Sequence, residues 1–243
     1  DADYCGIGEE YSNDGGFFNC QFGYYLGGGT GAADALKCDG KLLPLDLTKS
    51  WLAKSWELKT SNDISLERYA SAGGIQSIYS THTGISVEEL NLQAIYPNQI
   101  LERAITGEKS AINTLNDVSH TLAKLINERI ETLFAGWQTP FGFVNPNRVP
   151  LESSHPYLGQ VFDRLIIGQR LGTLMKESKQ SNYLWLPFIS HLKNLISESE
   201  ALDIQAKKHY LDNGIEKIIF LSQLRDAPAL GAGVDAALNF YQS

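Results

Sequence analysis

No apolar stretch of this 243-residue chain comes near the eighteen or so residues that a membrane-spanning helix needs. Its longest apolar clusters, Leu184–Ile189 and Ile218–Leu221, are core-sized. A soluble chain without a span is therefore expected. Basic clusters are missing too: 20 Lys and Arg face 28 Asp and Glu, for a net charge of −8. Nucleic acid and anionic lipid are held by such clusters, so neither is an expected partner. There is no Cys-x-x-Cys, no His-Glu-x-x-His and no Gly-x-Ser-x-Gly, and the five histidines (82, 120, 155, 191 and 209) are scattered. Zinc sites, metallohydrolases and nucleophile elbows are built on those patterns. The sequence thus predicts no metal site, no cofactor and no catalytic residue.

After Cys38 the chain has no cysteine. Cys5, Cys20 and Cys38 share the first forty residues with ten of the 22 glycines, and with seven acids against one base. The remainder holds 19 bases and 21 acids, so the front is acidic and the body nearly neutral. Cysteines grouped among loop-forming residues suggest a disulfide staple and an oxidising compartment. Three pairings are open. Cys5–Cys20 and Cys20–Cys38 would each close a short loop, worth roughly 3 kcal/mol. The first residue is Asp rather than Met, which fits a chain trimmed after export. A periplasmic or extracellular location is the resulting expectation.

The domain reading follows the same asymmetry. Residues 1–44 form an irregular head rich in glycine and aromatics, with a short strand at Cys20–Leu26. Residues 45–243 form a helical body, with a break at the proline-bearing stretch 136–159. The fold class expected is mainly α, a multi-helix bundle with a disulfide-stapled head. A helix capped near Asp46 or Thr48 would carry Trp51, Trp56 and Leu58, and the next would stop at Gly73-Gly74. Ser86-Val-Glu-Glu89 reads as a capping box, Pro97 as a first helical residue and Gly107 as a stop. From Glu108 to Phe134, apolar residues recur every three or four positions (Ile112, Leu115, Val118, Leu122, Leu125, Ile130, Leu133), tracing one helix face. Asn127 and Glu128 fall on the opposite, polar face. The heptad breaks at Ser119 and Arg129, which favours a bundle helix over a coiled-coil seam. Further helices are expected over 158–178, from Pro187 to Ile196, and over 199–212 and 214–225. The chain loosens at Leu230–Val234.

Two stretches suggest chemistry. Gly27-Gly-Gly-Thr-Gly31 looks like a phosphate-cradling loop and resembles the start of the tubulin-type nucleotide signature, but Ala32 and Ala33 follow where that signature continues otherwise. Too few residues separate it from Asp39-Gly40 for a full helix, so it is read as a glycine hinge in the head. Ser190-His-Leu-Lys193 matches Ser-x-x-Lys, yet no Lys-Thr-Gly or Ser-Asp-Asn accompanies it.

Without a catalytic motif, the expectation is a non-enzymatic exported protein that joins an assembly through protein partners or self-association. Tyr4, Tyr11, Phe17, Phe18, Tyr24 and Tyr25 of the head, with Trp137, Phe141 and Phe143 of the 136–159 stretch, are its candidate interface residues, because aromatics anchor buried contacts. A helical body of residues 45–243 behind a cysteine-bearing head is similar in general character to periplasmic components of bacterial type IV secretion machines. That resemblance implies a structural subunit of the bacterial envelope and no catalysis. The alternative is a helical bundle with an interhelical pocket for a small ligand or an enzymatic site, lined by Trp51, Trp56, Trp137 and Trp185.

Overall fold

A computed structural model describes residues 2–212 and 214–242, with side chains for 3–212 and 214–237. It is a mixed α/β molecule rather than a helical bundle. Helix α1 (Ala2–Tyr11) leads into a hairpin of β1 (Gly23–Gly28) and β2 (Ala32–Cys38), then β3 (Lys41–Leu43). Asp39 and Gly40, both at positive φ (52° and 71°), form the two-residue turn between β2 and β3. That turn type matches the twist of paired strands. The front of the chain is therefore the antiparallel half of a sheet. Its other half comes from far away: β6 (Arg164–Gly168) pairs parallel with β1, and β7 (Ile219–Leu221) pairs parallel with β6. The strand order is β3-β2-β1-β6-β7. A small second sheet joins β4 (Leu58–Lys59) to β5 (Gly142–Phe143).

Helices fill the intervals: α2 (Leu45–Thr48), α3 (Glu67–Ala70), α4 (Ala72–Thr83), α5 (Val87–Leu92), α6 (Pro97–Ile105) and α7 (Lys109–Ala135). They continue with α8 (Gln169–Ser178), α9 (Trp185–Glu198), α10 (Ile204–Leu211), α11 (Ile215–Ile218) and α12 (Ala227–Gln242). The sheet is covered on both faces. Tyr24, Leu26, Leu36, Leu165 and Ile167 point into the large core with α7 and α9. Tyr25, Ala35 and Ile166 point the other way, toward Cys5 of α1 and Phe17. This alternation is the period-two signature of a strand.

Burial on both faces is why β6 escapes detection in the sequence. Leu165-Ile166-Ile167 is an unbroken apolar run, which reads equally well as part of a helix. The helix expected over 158–178 begins only at Gln169, and the one expected over 214–225 gives way to β7 after a single turn. Around Trp51 there is a turn and one 3-10 turn in place of a helix. Gly73-Gly74 does not stop a helix; Ser71 caps the start of α4, accepting from the Gly74 N–H, and the helix runs on to Thr83. Helix α12 likewise passes through 230–234. The Ser86 cap, Pro97 at the start of α6 and the 27-residue α7 stand where the pattern places them.

The disulfide staple is not there. Cys5, Cys20 and Cys38 are free thiols, all buried. Burial pushes the Cys20 thiol up to about 11 and Cys38 to about 12, so both stay protonated. What binds the front of the molecule is sheet pairing, not oxidation. No described helix is long and apolar enough to cross a membrane.

The second half of α7 departs from its polar-face expectation. Asn127 and Glu128 are buried, and so is Arg129, whose side chain is 1% exposed. Arg129 Nη1 lies 3.0 Å from Glu128 Oε2 and Nη2 lies 3.7 Å from Asp34 Oδ1 on β2. Its guanidinium carbon sits 5.2 Å from the centre of the Tyr24 ring. None of its three nitrogens makes a well-aligned hydrogen bond. Asp34, by contrast, is well satisfied: it accepts from Tyr24 Oη (2.5 Å), the Ser55 N–H (3.0 Å) and Ser55 Oγ (2.7 Å). This cluster ties α7 to the sheet.

The end of α7 is also where the 136–159 stretch is pinned. His155 Nε2 donates to the Thr132 carbonyl at 2.8 Å, its Nδ1 accepts from the Tyr157 N–H at 3.2 Å, and its ring stacks on Trp51 with centroids 4.1 Å apart. A neutral ring satisfies both bonds; a proton on Nδ1 breaks the second. Burial holds the imidazole below its ordinary pKa of about 6.5, with the Thr132 bond opposing. The unfolded chain thus takes up this proton first as pH falls. His155 contributes no pH slope above about 6.5 and a loss of stability below it. Melting curves by circular dichroism between pH 7.5 and 5 are expected to show that decline, and His155→Gln to flatten it. An unchanged slope in the variant would rule the histidine out as its source.

Candidate functional site

At the carboxyl ends of β1 and β6 the chain opens a cleft of about 1070 Å³. One rim is the hairpin loop Gly29-Thr30-Gly31. It closes on itself through the Gly29 N–H and the Gly31 carbonyl (2.9 Å), and it is tied to the start of α4 by the Ala72 N–H donating to the Gly29 carbonyl (3.0 Å). Glu67 of α3 braces it from outside, its Oε1 accepting from the Ala32 N–H at 3.1 Å.

Neighbours, not flexibility, demand these glycines. A Cβ on Gly28 would lie 2.0 Å from the Ala70 carbonyl oxygen and 2.6 Å from the Leu171 Cβ; one on Gly29 would lie 2.5 Å from Gln169 Oε1. The hinge reading of Gly27–Gly31 is replaced by a loop clamped between α3 and α8.

The opposite rim is the β6–α8 junction. Gln169 is held at φ +57°, a left-handed conformation that a side-chain-bearing residue rarely adopts. Its Nε2 donates to Cys5 Sγ at 3.3 Å. The residue before α8 is Gly168, so no side chain caps the helix. The first N–H groups of an uncapped helix are unpartnered and carry partial positive charge, which favours an anion. Arg170 and Arg225 also line the cleft, and among the described residues its lining contains no Asp or Glu. In a chain of net charge −8, this is a locally positive opening. Ile75, Leu171 and Leu174 give it an apolar wall, and the half-exposed Tyr96 ring stands at its edge.

Behind the loop lie buried polar groups. Among the described residues Tyr25 Oη and Glu9 Oε1 make no well-aligned hydrogen bond, while Glu9 Oε2 accepts from the Gly16 N–H at 2.7 Å. Burial pushes the Glu9 carboxyl and the Cys5 thiol above their ordinary values. Among the described residues no cluster of three or more His, Cys, Asp or Glu side chains suits a metal ion.

No family model and no curated protein matches the chain. Solved structures do. A ROK-family glucokinase from Streptomyces griseus, in complex with glucose and AMPPNP, aligns with TM-score 0.57 at 14% identity over 95% of this chain and 64% of its own. The ROK hexokinase from Thermus thermophilus aligns with TM-score 0.56 at 11% identity over 100% of this chain and 65% of its own. A ROK-family protein from Streptococcus pneumoniae, in complex with sucrose, gives TM-score 0.51 at 13% identity over 100% and 66%. The fold resembles that of these ROK-family proteins. At these identities the likeness concerns the fold, and the chain spans less than two thirds of each of these proteins.

That finding overturns the secretion-machine resemblance and the structural envelope subunit it implied. It also removes the non-enzymatic expectation, since the fold matched over nearly the whole chain is one that enzymes carry. The exported location leaned on a disulfide staple, and the three cysteines are unpaired in a fold that resembles those of solved ROK-family proteins.

The candidate interface aromatics are divided. Tyr4, Tyr11 and Phe18 are exposed; Phe17, Tyr24, Tyr25 and Trp137 are buried; Phe141 and Phe143 lie between, with Phe143 stacked on Trp137. None of the four tryptophans lines the cleft. Of the cleft itself, the sequence signalled only the glycine loop. Gln169, Arg170 and Leu171 approach it from 140 residues away along a strand that the pattern hid.

Proposed function

We propose that this chain holds the phosphate donor of a sugar-phosphorylating enzyme, with a nucleoside triphosphate bound in the cleft. The observation that carries the reading is the convergence on one cavity of a clamped glycine loop, the uncapped start of α8 and two arginines, with no Asp or Glu among the described lining residues. Phosphoryl transfer is catalysed mainly by positioning and charge stabilisation, and this is the equipment it needs on the donor side. The phosphates lie against Gly29–Gly31 and α8, where backbone N–H groups and Arg170 meet them. The base lies against Ile75, Leu171 and Leu174. The Streptomyces glucokinase, which carries AMPPNP and glucose, supports the choice of ligands. The donor occupies this cleft, and the acceptor hydroxyl meets groups outside its lining.

Titration calorimetry with AMPPNP tests it. One site is expected, weakened roughly tenfold by Arg170→Ala or Arg225→Ala, the magnitude of a lost charge-assisted hydrogen bond. Absence of binding at millimolar nucleotide, in protein with the helix content of the native fold, would refute it.

A further inference from the structure

Helix α4 is a partition. Ala72 and Ile75 face the nucleotide cleft, whereas Gly74, Ser77, Ile78, Thr81 and His82 line a separate groove of about 830 Å³. Those spacings of three and four place the second set on one stripe of the helix. Across the groove stands a matching stripe of α7: Asp117, His120, Thr121 and Lys124. Residues 59–65, Arg68, Pro140, Phe141 and Val144 complete its lining.

The charges inside are not all matched. Lys59 pairs with Asp63, and His82 Nε2 pairs with Asp117 Oδ2 at 2.8 Å. Arg68 and Lys124 have no ion-pair or side-chain hydrogen-bond partner among the described residues, so the groove offers two uncommitted cations. Around them are uncharged polar groups: the hydroxyls of Ser61, Ser65, Ser77 and Thr81, and the Asn62 amide. Thr60 Oγ1, buried in the wall near the Tyr69 hydroxyl, makes no well-aligned hydrogen bond among the described residues. Phe141 supplies an aromatic face. Two uncommitted cations lining one groove suit an anionic ligand, and a phosphate can accept from both. Several hydroxyls suit a polyol, and an aromatic face suits the C–H side of a sugar ring.

We propose that this groove is a second binding site, for a small phosphorylated sugar, with Arg68 and Lys124 on the phosphate. The assignment stands on the groove alone and does not require a nucleotide in the cleft. It has a consequence for the cleft, because the segment Glu67–Ile78 walls both cavities: Glu67 braces the glycine loop while Arg68 faces the groove. A ligand drawn onto Arg68 bears on the segment that holds the loop, and any change in nucleotide affinity is matched by an equal change in sugar-phosphate affinity.

Titration of the whole chain with glucose 6-phosphate, without nucleotide, reads the site directly. Arg68 and Lys124 are exposed, so Arg68→Ala/Lys124→Ala leaves the fold intact, which circular dichroism verifies. Binding is expected, with a dissociation constant raised at least roughly tenfold in that double variant. It should be unchanged in Arg170→Ala/Arg225→Ala, which disables the cleft instead. Inorganic phosphate and glucose are each expected to bind more weakly than glucose 6-phosphate. No binding, binding that survives loss of Arg68 and Lys124, or equal affinity for inorganic phosphate would overturn the proposal. Failure of AMPPNP to bind would count against the cleft and leave this titration readable.

Discussion

Arg129→Met is expected to cost about 3–5 kcal/mol, a large share of the roughly 5–15 kcal/mol that keeps a domain folded. The loss does not come from deleting a strong ion pair. Arg129 and Glu128 are both almost fully buried, and the guanidinium makes no well-aligned hydrogen bond. The cost lies in what remains. Glu128 Oε1 keeps the Thr132 hydroxyl at 2.8 Å, but Oε2 is left buried with no cation beside it.

The pH dependence of this variant carries a sign. Burial already pushes the Glu128 carboxyl up, and Arg129 pulls it back. Removing the arginine raises it further. A carboxyl with a raised folded-state pKa gives its full stability below the unfolded value and loses it as pH rises through the folded one. The deficit of Arg129→Met should therefore shrink toward pH 5. Urea denaturation at pH 8 and pH 5 measures both quantities. Glu128→Leu/Arg129→Met removes both charges and should recover most of the loss. A single variant that unfolds at the wild-type urea concentration would show that the cluster does not tie α7 to the sheet.

Gly28→Val is expected to abolish nucleotide binding and to destabilise the fold by about 3 kcal/mol, the upper range for inserting atoms into a packed site. Even its first carbon would meet the Ala70 carbonyl oxygen at 2.0 Å. Backbone cannot swing aside as a side chain can, so β1 must part from α3 and α8, and the cleft loses its clamped loop. Gly73→Ala is the control. It lies in α4 with nothing within 4 Å of the added carbon, and alanine suits a helix better than glycine by roughly 0.5–1 kcal/mol. The pair of variants, read by thermal melting and AMPPNP titration, separates the close-packed glycine from the merely helical one. Nucleotide binding retained by Gly28→Val would contradict the clamped-loop geometry.

What the sequence determined by itself is local. The long amphipathic run of α7, the Ser86 cap and Pro97 at the start of α6 are each set by residues within a few positions of one another, so periodicity and capping chemistry suffice to place them. The lack of an apolar span and the acidic balance also follow from composition. The tertiary structure decided the rest, because its causes are distant in the chain. Strand β1 is central only because β6, about 140 residues later, lies beside it, and both carry apolar residues on two faces, which erases the alternation that marks a strand. Grouped cysteines looked like a staple, yet sheet pairing already secures that segment and the buried thiols stay unpaired. Asn127 and Glu128 read as solvent-facing until the folded chain buries them. The glycine loop was visible as a motif, but whether it hinges or cradles depends on what presses against it, and Ala70, Leu171 and Gln169 reach Gly28 and Gly29 only in the folded chain.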